Sequence, residues 1–451
     1  MSEKRQVILG ASFPGVNHHT VWSDPRAGSQ IDFASFVHLA RAAERGRFDF
    51  LFQAEGLRVR EHKGSIYELD IAGRPDILTQ QAALAGITEH LSFLSTINVT
   101  FNEPFELARK LASHALLSGG RIGWNIVTSS DAFHGGNFRR GGYLAREERY
   151  ERAAEVARTV LELWDSWSAD GQGSFEHHGK HVDIAGRFPL PTSPLPHPVL
   201  VQAGVSDEGR DFASRSVDVI FSPYSQTEEG RAFTADVRAR AERAGRDPET
   251  LKVLPGASFV IGDSQTEAEE KAREVTRAQV SPQTALVLLE QVWLQDLEHI
   301  DPHGPVPEPD PDKIERDITL GKTRTTGDPL ARAREWYEFA QQKGLSVREL
   351  IIAKQSRQRF VGTASQVAEQ IDDAVQTRVS DGFIIGSHVV PVGLDDFVDQ
   401  VVPLLQERGV LRAEYQPGAT FRDNLGLPPV APLVREGIEP FVSPLLEVPH
   451  N

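Results

Sequence analysis

Cysteine is absent from the 451 residues, which rules out a disulfide framework and any thiolate-based metal or redox site. Long apolar runs are missing too: nothing approaches the ~20 residues that cross a bilayer. Met1 to Gly10 carries no apolar run behind its basic residues of the kind a secretory signal needs. The expectation is a soluble protein of the cytoplasm. Positive charge is in deficit, since 48 Lys+Arg against 64 Asp+Glu leave a formal net charge of −16. Nucleic acid and anionic membranes both demand a basic footprint, so neither is an expected partner. Sequence signatures are lacking as well. No Gly-x-Gly-x-x-Gly follows a strand-like run, which argues against a dinucleotide fold, and there is neither a Walker A loop nor Gly-x-Ser-x-Gly.

What is present is an ordinary globular composition, 39% hydrophobic and 25% charged, arranged as short β-like runs alternating with amphipathic helices. Strands are expected at Gln6–Phe13, Phe48–Gln53, Leu91–Val99, Arg121–Val127, Val199–Gln202, Asp218–Phe221, Lys252–Ile261 and Gly382–Ile385. Helices are expected at Asp32–Arg45, Asp76–Glu89, Pro104–Leu117, Glu147–Trp164, Ser206–Ser216, Glu228–Ala244 and Leu394–Gln406. In the fourth of these, Tyr150, Ala153, Ala157, Val160, Leu161 and Trp164 recur at spacings that put them on one face. Eight strand–helix units favour a closed (β/α)8 barrel of the TIM type over an open sheet, as one domain across residues 1–451. Three stretches interrupt the repeat: 129–146, 166–198 and 281–360, the last reading as an insertion able to cover a site. The tail from 410 to 451 lacks a period and reads as wrapping the outside or joining a subunit contact.

Barrel enzymes carry their chemistry at strand C-termini and in the loops that follow. The loop after the fifth strand, Ala203-Gly204-Val205-Ser206, leads small residues into a helix start, where backbone N–H groups and a hydroxyl converge. That arrangement suits a phosphate. It equally describes a plain Ser N-cap, which the adjacent Asp207 and Glu208 favour because they complement the helix dipole and repel an anion. Thr100 and Asn125 stand among apolar strand residues, so each either meets a ligand's amide edge or bonds a neighbouring loop. The histidine groups (His18-His19, and His177, His178, His181) have no carboxylate partner at a strand end, so no metal is expected. The 177–181 group reads as surface, and His18 or His19 as facing a substrate.

Several blocks together make the chain recognisable: LLSGGRIGWNIVTSS (116–130), RYERAAEVARTVLELWDSW (149–167), FDFLFQAEGL (48–57), PVLVQAGVSDEGRDFASRSVDVIF (198–221) and LRAEYQPGATFRDNLGL (411–427). Nearly the whole chain resembles the nitrilotriacetate monooxygenase family of bacterial luciferase-like flavin monooxygenases. The resemblance implies a two-component system acting on a small organic, often xenobiotic, substrate. A separate NAD(P)H:FMN reductase delivers reduced FMN, which reacts with O2, and the flavin (hydro)peroxide oxygenates the substrate. It also implies a homodimer or homotetramer. Carried over to this chain, the FMN phosphate falls to Gly204, Val205 and Ser206 with the Tyr150 hydroxyl, and the isoalloxazine ring to Thr100 and Asn125. The chain departs from the family at Glu55, where Asp is usual, at Arg146, where His is common, and at Asn137–Arg139, where NFR replaces NFG. An arginine binds anions but does not shuttle a proton near neutral pH. Two other enzyme classes share the barrel: deazaflavin (F420)-dependent oxidoreductases and metal-dependent hydrolases. A non-catalytic partner subunit is a third alternative.

Overall fold

A computed structural model describes residues 4–13, 19–66, 75–128, 135–138, 146–167, 173–192, 197–224, 227–315, 318–320, 328–355 and 358–429. The apolar runs form eight strands: β1 (Ile8–Ser12), β2 (Phe50–Gln53), β3 (Ser92–Asn98), β4 (Ile122–Val127), β5 (Val199–Gln202), β6 (Val219–Ser222), β7 (Lys252–Ile261) and β8 (Gly382–Gly386). Each pairs in parallel with its sequence neighbours, and β8 closes on β1 through Ile8↔Gly382 and Ala11↔Ile385. The result is a closed eight-stranded parallel barrel, as the sequence predicts.

Parallel neighbours need crossover connections. These are supplied by α1 (Phe33–Arg45), α2 (Ile77–Ala85), α3 (Pro104–Ser118), α4 (Arg146–Asp165), α5 (Asp207–Ser216), α6 (Thr227–Arg243) and α7 (Gln265–Gln279). After α7 come α8 (Pro282–Trp293), α9 (Pro329–Lys343), α10 (Val347–Gln355), α11 (Ala364–Gln376), α12 (Gly393–Gln400), α13 (Val402–Glu407) and α14 (Phe421–Asn424). Helices α8 to α10 share a core of their own, built on Leu288, Trp293, Leu350 and Ile351.

Several expectations need correction. The helix expected over 394–406 is two, because Pro403 has no N–H to continue the ladder. The stretch 166–198 contains an antiparallel hairpin, Phe175–His178 with Asp183–Gly186. Residues 281–360 hold strand segments as well as helices: Gln358–Gly362 extends the sheet beside the far half of β7, and Thr319–Leu320 pairs with Glu61–His62. His177 and His181 are not surface residues. Nδ1 of His177 lies 2.7 Å from Glu162 on α4, and Nε2 of His181 lies 3.6 Å from Glu151, their side chains only 10% and 8% exposed.

The tail is the largest correction. Its described part neither wraps the outside nor stands free. Phe421, Leu425 and Leu427 enter the barrel's interior cluster with Ile8, Phe50, Leu94, Val199, Val219, Leu254 and Ile384. Gly123 makes room for this plug, since a Cβ there would stand 2.6 Å from the Phe421 ring. Arg422 grips Asp218 with two nitrogens, at 2.8 and 3.1 Å, and Arg412 reaches Asp49 at 2.5 Å. Residues 430–451 lie outside the described set.

Candidate functional site

Strand parity decides which side chains face into the barrel. On β3, Leu94 belongs to the interior cluster, so Thr96 and Asn98 follow on the same face. On β4, Gly123 meets the plug, so Asn125 also points inward, one layer nearer the strand C-termini. The two strands meet through these polar groups. Asn125 Nδ2 donates to Thr96 Oγ1 at 3.1 Å, and that hydroxyl donates to the Gln53 carbonyl at 2.8 Å. Asn125 is 4% exposed, and its Oδ1 has no hydrogen-bond partner among the described residues. A buried acceptor left unmade costs about 1–3 kcal/mol, so this oxygen is open to a further donor.

The loop after β5 is a second polar centre. Ser206 caps α5, its hydroxyl accepting from Gly209 N at 3.2 Å. The Gly204 amide donates to Gln202 Oε1 at 2.6 Å, which fixes the turn. Loop and helix touch backbone to backbone: a Cβ added at Gly209 would stand 2.9 Å from both the Gly204 Cα and the Tyr150 hydroxyl. Tyr150 on α4 therefore delivers its Oη to the N-terminus of α5, beside the Ser206 cap. The objection raised by Asp207 is removed by tertiary structure, because Arg240 on α6 takes its carboxylate at 2.6 Å. Arg146 opens α4 one turn before Tyr150, and its side chain lies outside the described residues, as do His18, Arg139 and Arg140.

A third group stands where β2 and β3 end. Glu55 is half-buried, and burial pushes its carboxyl up to about 7. A hydrogen bond from the Asn98 backbone opposes that shift, the charge of Asp76 adds to it, and Lys110 subtracts. Thr100 is buried, its amide donating to Asn98 Oδ1 at 2.7 Å. Phe101 stacks on Phe138 with centroids 4.7 Å apart, and Asn137 donates to the Leu57 carbonyl at 2.9 Å. The loops after β2, β3 and β4 are thus tied together above one side of the barrel mouth.

The structure therefore gathers Glu55, Thr100, Asn125, Gly204, Val205, Ser206 and Tyr150 along β2 to β5 and the adjoining helix, four consecutive strands of the barrel. Sequence reasoning gave no role to Thr96, Asn98 or Gln202. The polar residues interrupting LSFLSTINV were the available signal for the first two. A hollow of about 650 Å³ lined by Phe33, Val37, His38, Arg41 and Asp395 lies on the outer helices, away from these groups. Among the described residues, no group of three or more His, Asp or Glu is placed to hold a metal ion. Nor is any described helix long and apolar enough to cross a membrane.

Comparison with known proteins agrees with this fold. The chain is 35% identical to nitrilotriacetate monooxygenase component A of Aminobacter aminovorans, over 95% of this chain and 98% of that one. It superposes on the EDTA monooxygenase of Chelativorans sp. BNC1 with a TM-score of 0.72 at 30% identity, covering 94% of this chain and 99% of that one. A more distant relative, 30% identical over 52% of this chain and 61% of its own, is the FMNH2-dependent dimethylsulfone monooxygenase of Pseudomonas putida. The family model for luciferase-like monooxygenases matches residues 15–381, and the chain belongs to that family.

Proposed function

We propose that this protein is the oxygenating component of a two-component monooxygenase of the cytoplasm, receiving reduced FMN from a separate NAD(P)H-dependent reductase and oxygenating a small organic substrate with O2. The observation that carries this reading is the convergence of the Ser206 cap, the Gly204–Gly209 contact and the Tyr150 hydroxyl at one helix N-terminus. Such a place offers backbone N–H groups, a positive dipole end and two hydroxyls to a phosphate. The unpartnered Oδ1 of Asn125 fits the same ligand, because the polar edge of an isoalloxazine ring carries an N–H donor. Bound reduced FMN would supply the oxygen-activating chemistry. The protein's own residues bind, orient and exclude water.

In this reading Ser206, the Val205 backbone and Tyr150 hold the phosphate, with Arg146 beside them. Asn125, Thr100 and Glu55 face the ring. The segment 281–360 acts as a lid, because it is fastened to the loop after β2. Glu290 on α8 takes His62 at 2.7 Å and Lys63 at 2.8 Å, and Thr319–Leu320 adds a strand to Glu61–His62.

Titration with FMN and with anaerobically reduced FMN tests the assignment. Ser206→Ala and Tyr150→Phe are expected to weaken binding of the reduced form by about ten-fold each, the loss of roughly one charge-assisted hydrogen bond. Absence of binding by the wild type, or preference for a deazaflavin, would remove the reading.

A further inference from the structure

We propose that Asn98 is a positioning residue of the barrel mouth, which holds Glu55, Thr100 and Phe101 in the single arrangement that receives the flavin ring. The inference rests on the FMN reading above. Asn98 is fully buried at the last position of β3. Its Oδ1 accepts two successive amides, Thr100 N at 2.7 Å and Phe101 N at 3.1 Å. Its carbonyl accepts from Asn102 Nδ2 at 2.7 Å, so the turn is closed from both sides. On one flank Asn98 pairs with Val127 of β4, and on the other its backbone bonds the Glu55 carboxyl. One residue therefore joins the loops after β2 and β3 to the end of β4, and Phe101 passes the constraint on to Phe138 through their stacked rings.

An amide oxygen serving two adjacent N–H groups is a familiar turn device, and a purely structural role would end there. What sets this case apart is the company it keeps. The turn carries Thr100 and Phe101, and the same backbone unit fixes the carboxyl of Glu55. The charged groups acting on that carboxyl are Asp76 at the cap of α2 and Lys110 on α3.

Two substitutions separate positioning from folding. Asn98→Ala removes the acceptor and leaves two buried amides unmade. FMN affinity should fall at least about ten-fold, and in the flavin-free protein the Thr100 and Phe101 amides should lose hydrogen-exchange protection. Asn98→Asp keeps the acceptor, so protection and most of the affinity return. It also adds a like charge beside Glu55, so the pH dependence of FMN binding should move to higher pH. If Asn98→Ala does not fold, Asn98→Asp and Asn102→Ala carry the same measurements. Unchanged FMN affinity in Asn98→Ala, or no rescue by Asn98→Asp, overturns the proposal while wild-type binding stands. Failure of the wild type itself to bind FMN overturns the functional reading, and this one with it.

Discussion

At the N-terminal end of the barrel, Asp49, Asp218 and Asp381 each stand one residue before a strand. Each accepts a backbone N–H from the neighbouring strand: Leu9 at 2.8 Å, Leu200 at 2.9 Å and Val253 at 2.8 Å. Each also meets an arginine: Arg412 for Asp49, Arg422 for Asp218, and Arg238 with Arg5 for Asp381. At the C-terminal end, Asn98, Asn125 and Glu55 stand at or near the strand ends, and the pattern is different. Asn98 spends its oxygen on its own loop, and Asn125 Oδ1 has no partner among the described residues. Burial moves Glu55 toward its neutral form with no arginine beside it among the described residues, whereas at the closed end Arg412 opposes the same push on Asp49. The closed end pairs its three aspartates within the protein and is filled by Phe421. The mouth leaves capacity for something else. A half-satisfied polar site is costly to stability and is kept where a ligand completes it.

That contrast can be broken most sharply at the plug. Phe421→Ala should destabilise the fold by about 3–5 kcal/mol, as for large-to-small changes in packed cores, while leaving the FMN affinity of the folded protein unaltered. Urea unfolding together with flavin titration measures both. A loss of affinity matching the loss of stability would show that the two ends are not independent.

Gly209→Ala should have a smaller effect on stability and a larger one on binding. Overpacking against the Gly204 backbone and Tyr150 costs about 1–3 kcal/mol, and the gain in helix propensity returns about 1 kcal/mol. The net thermal shift is modest. FMN affinity should fall well beyond it, because the phosphate loop must move.

An effect confined to part of the pH range lies with Glu55→Gln. The Glu55 carboxyl rises from 4.5 to about 7 on folding, so the folded state holds a proton that the unfolded chain releases. Its contribution to stability is therefore complete below about 4.5 and fades as pH rises through about 7. Wild type should lose ground to Glu55→Gln between pH ~5 and ~8 in paired unfolding curves. A constant difference across that range would remove the assignment.

Much of the barrel was legible beforehand. The alternation in FDFLFQ and LSFLSTINV, and the three–four spacing from Tyr150 to Trp164, are local burial patterns that survive whatever the rest of the chain does. Ser206 was equally legible as a helix start, though its neighbours argued for a plain cap. It took Arg240, distant in sequence, to turn Asp207 away from the loop. The tail misled for a related reason. Phe421, Leu425 and Leu427 sit on one short turn, too brief to show a period, and their burial comes from a barrel they did not build. Asn98 showed only as one of the polar residues interrupting LSFLSTINV, since its meaning lies in three loops far apart along the chain.

By itself, then, the sequence determined the order of strands and helices, and the polar residues at the strand ends. Side-chain periodicity and capping are properties of neighbours a few residues apart. Only the tertiary structure decided which end of the barrel is shut, which polar atoms are satisfied, and which hydroxyl meets which helix start. Those outcomes depend on contacts between residues hundreds of positions apart, such as Arg422 with Asp218 and Arg412 with Asp49.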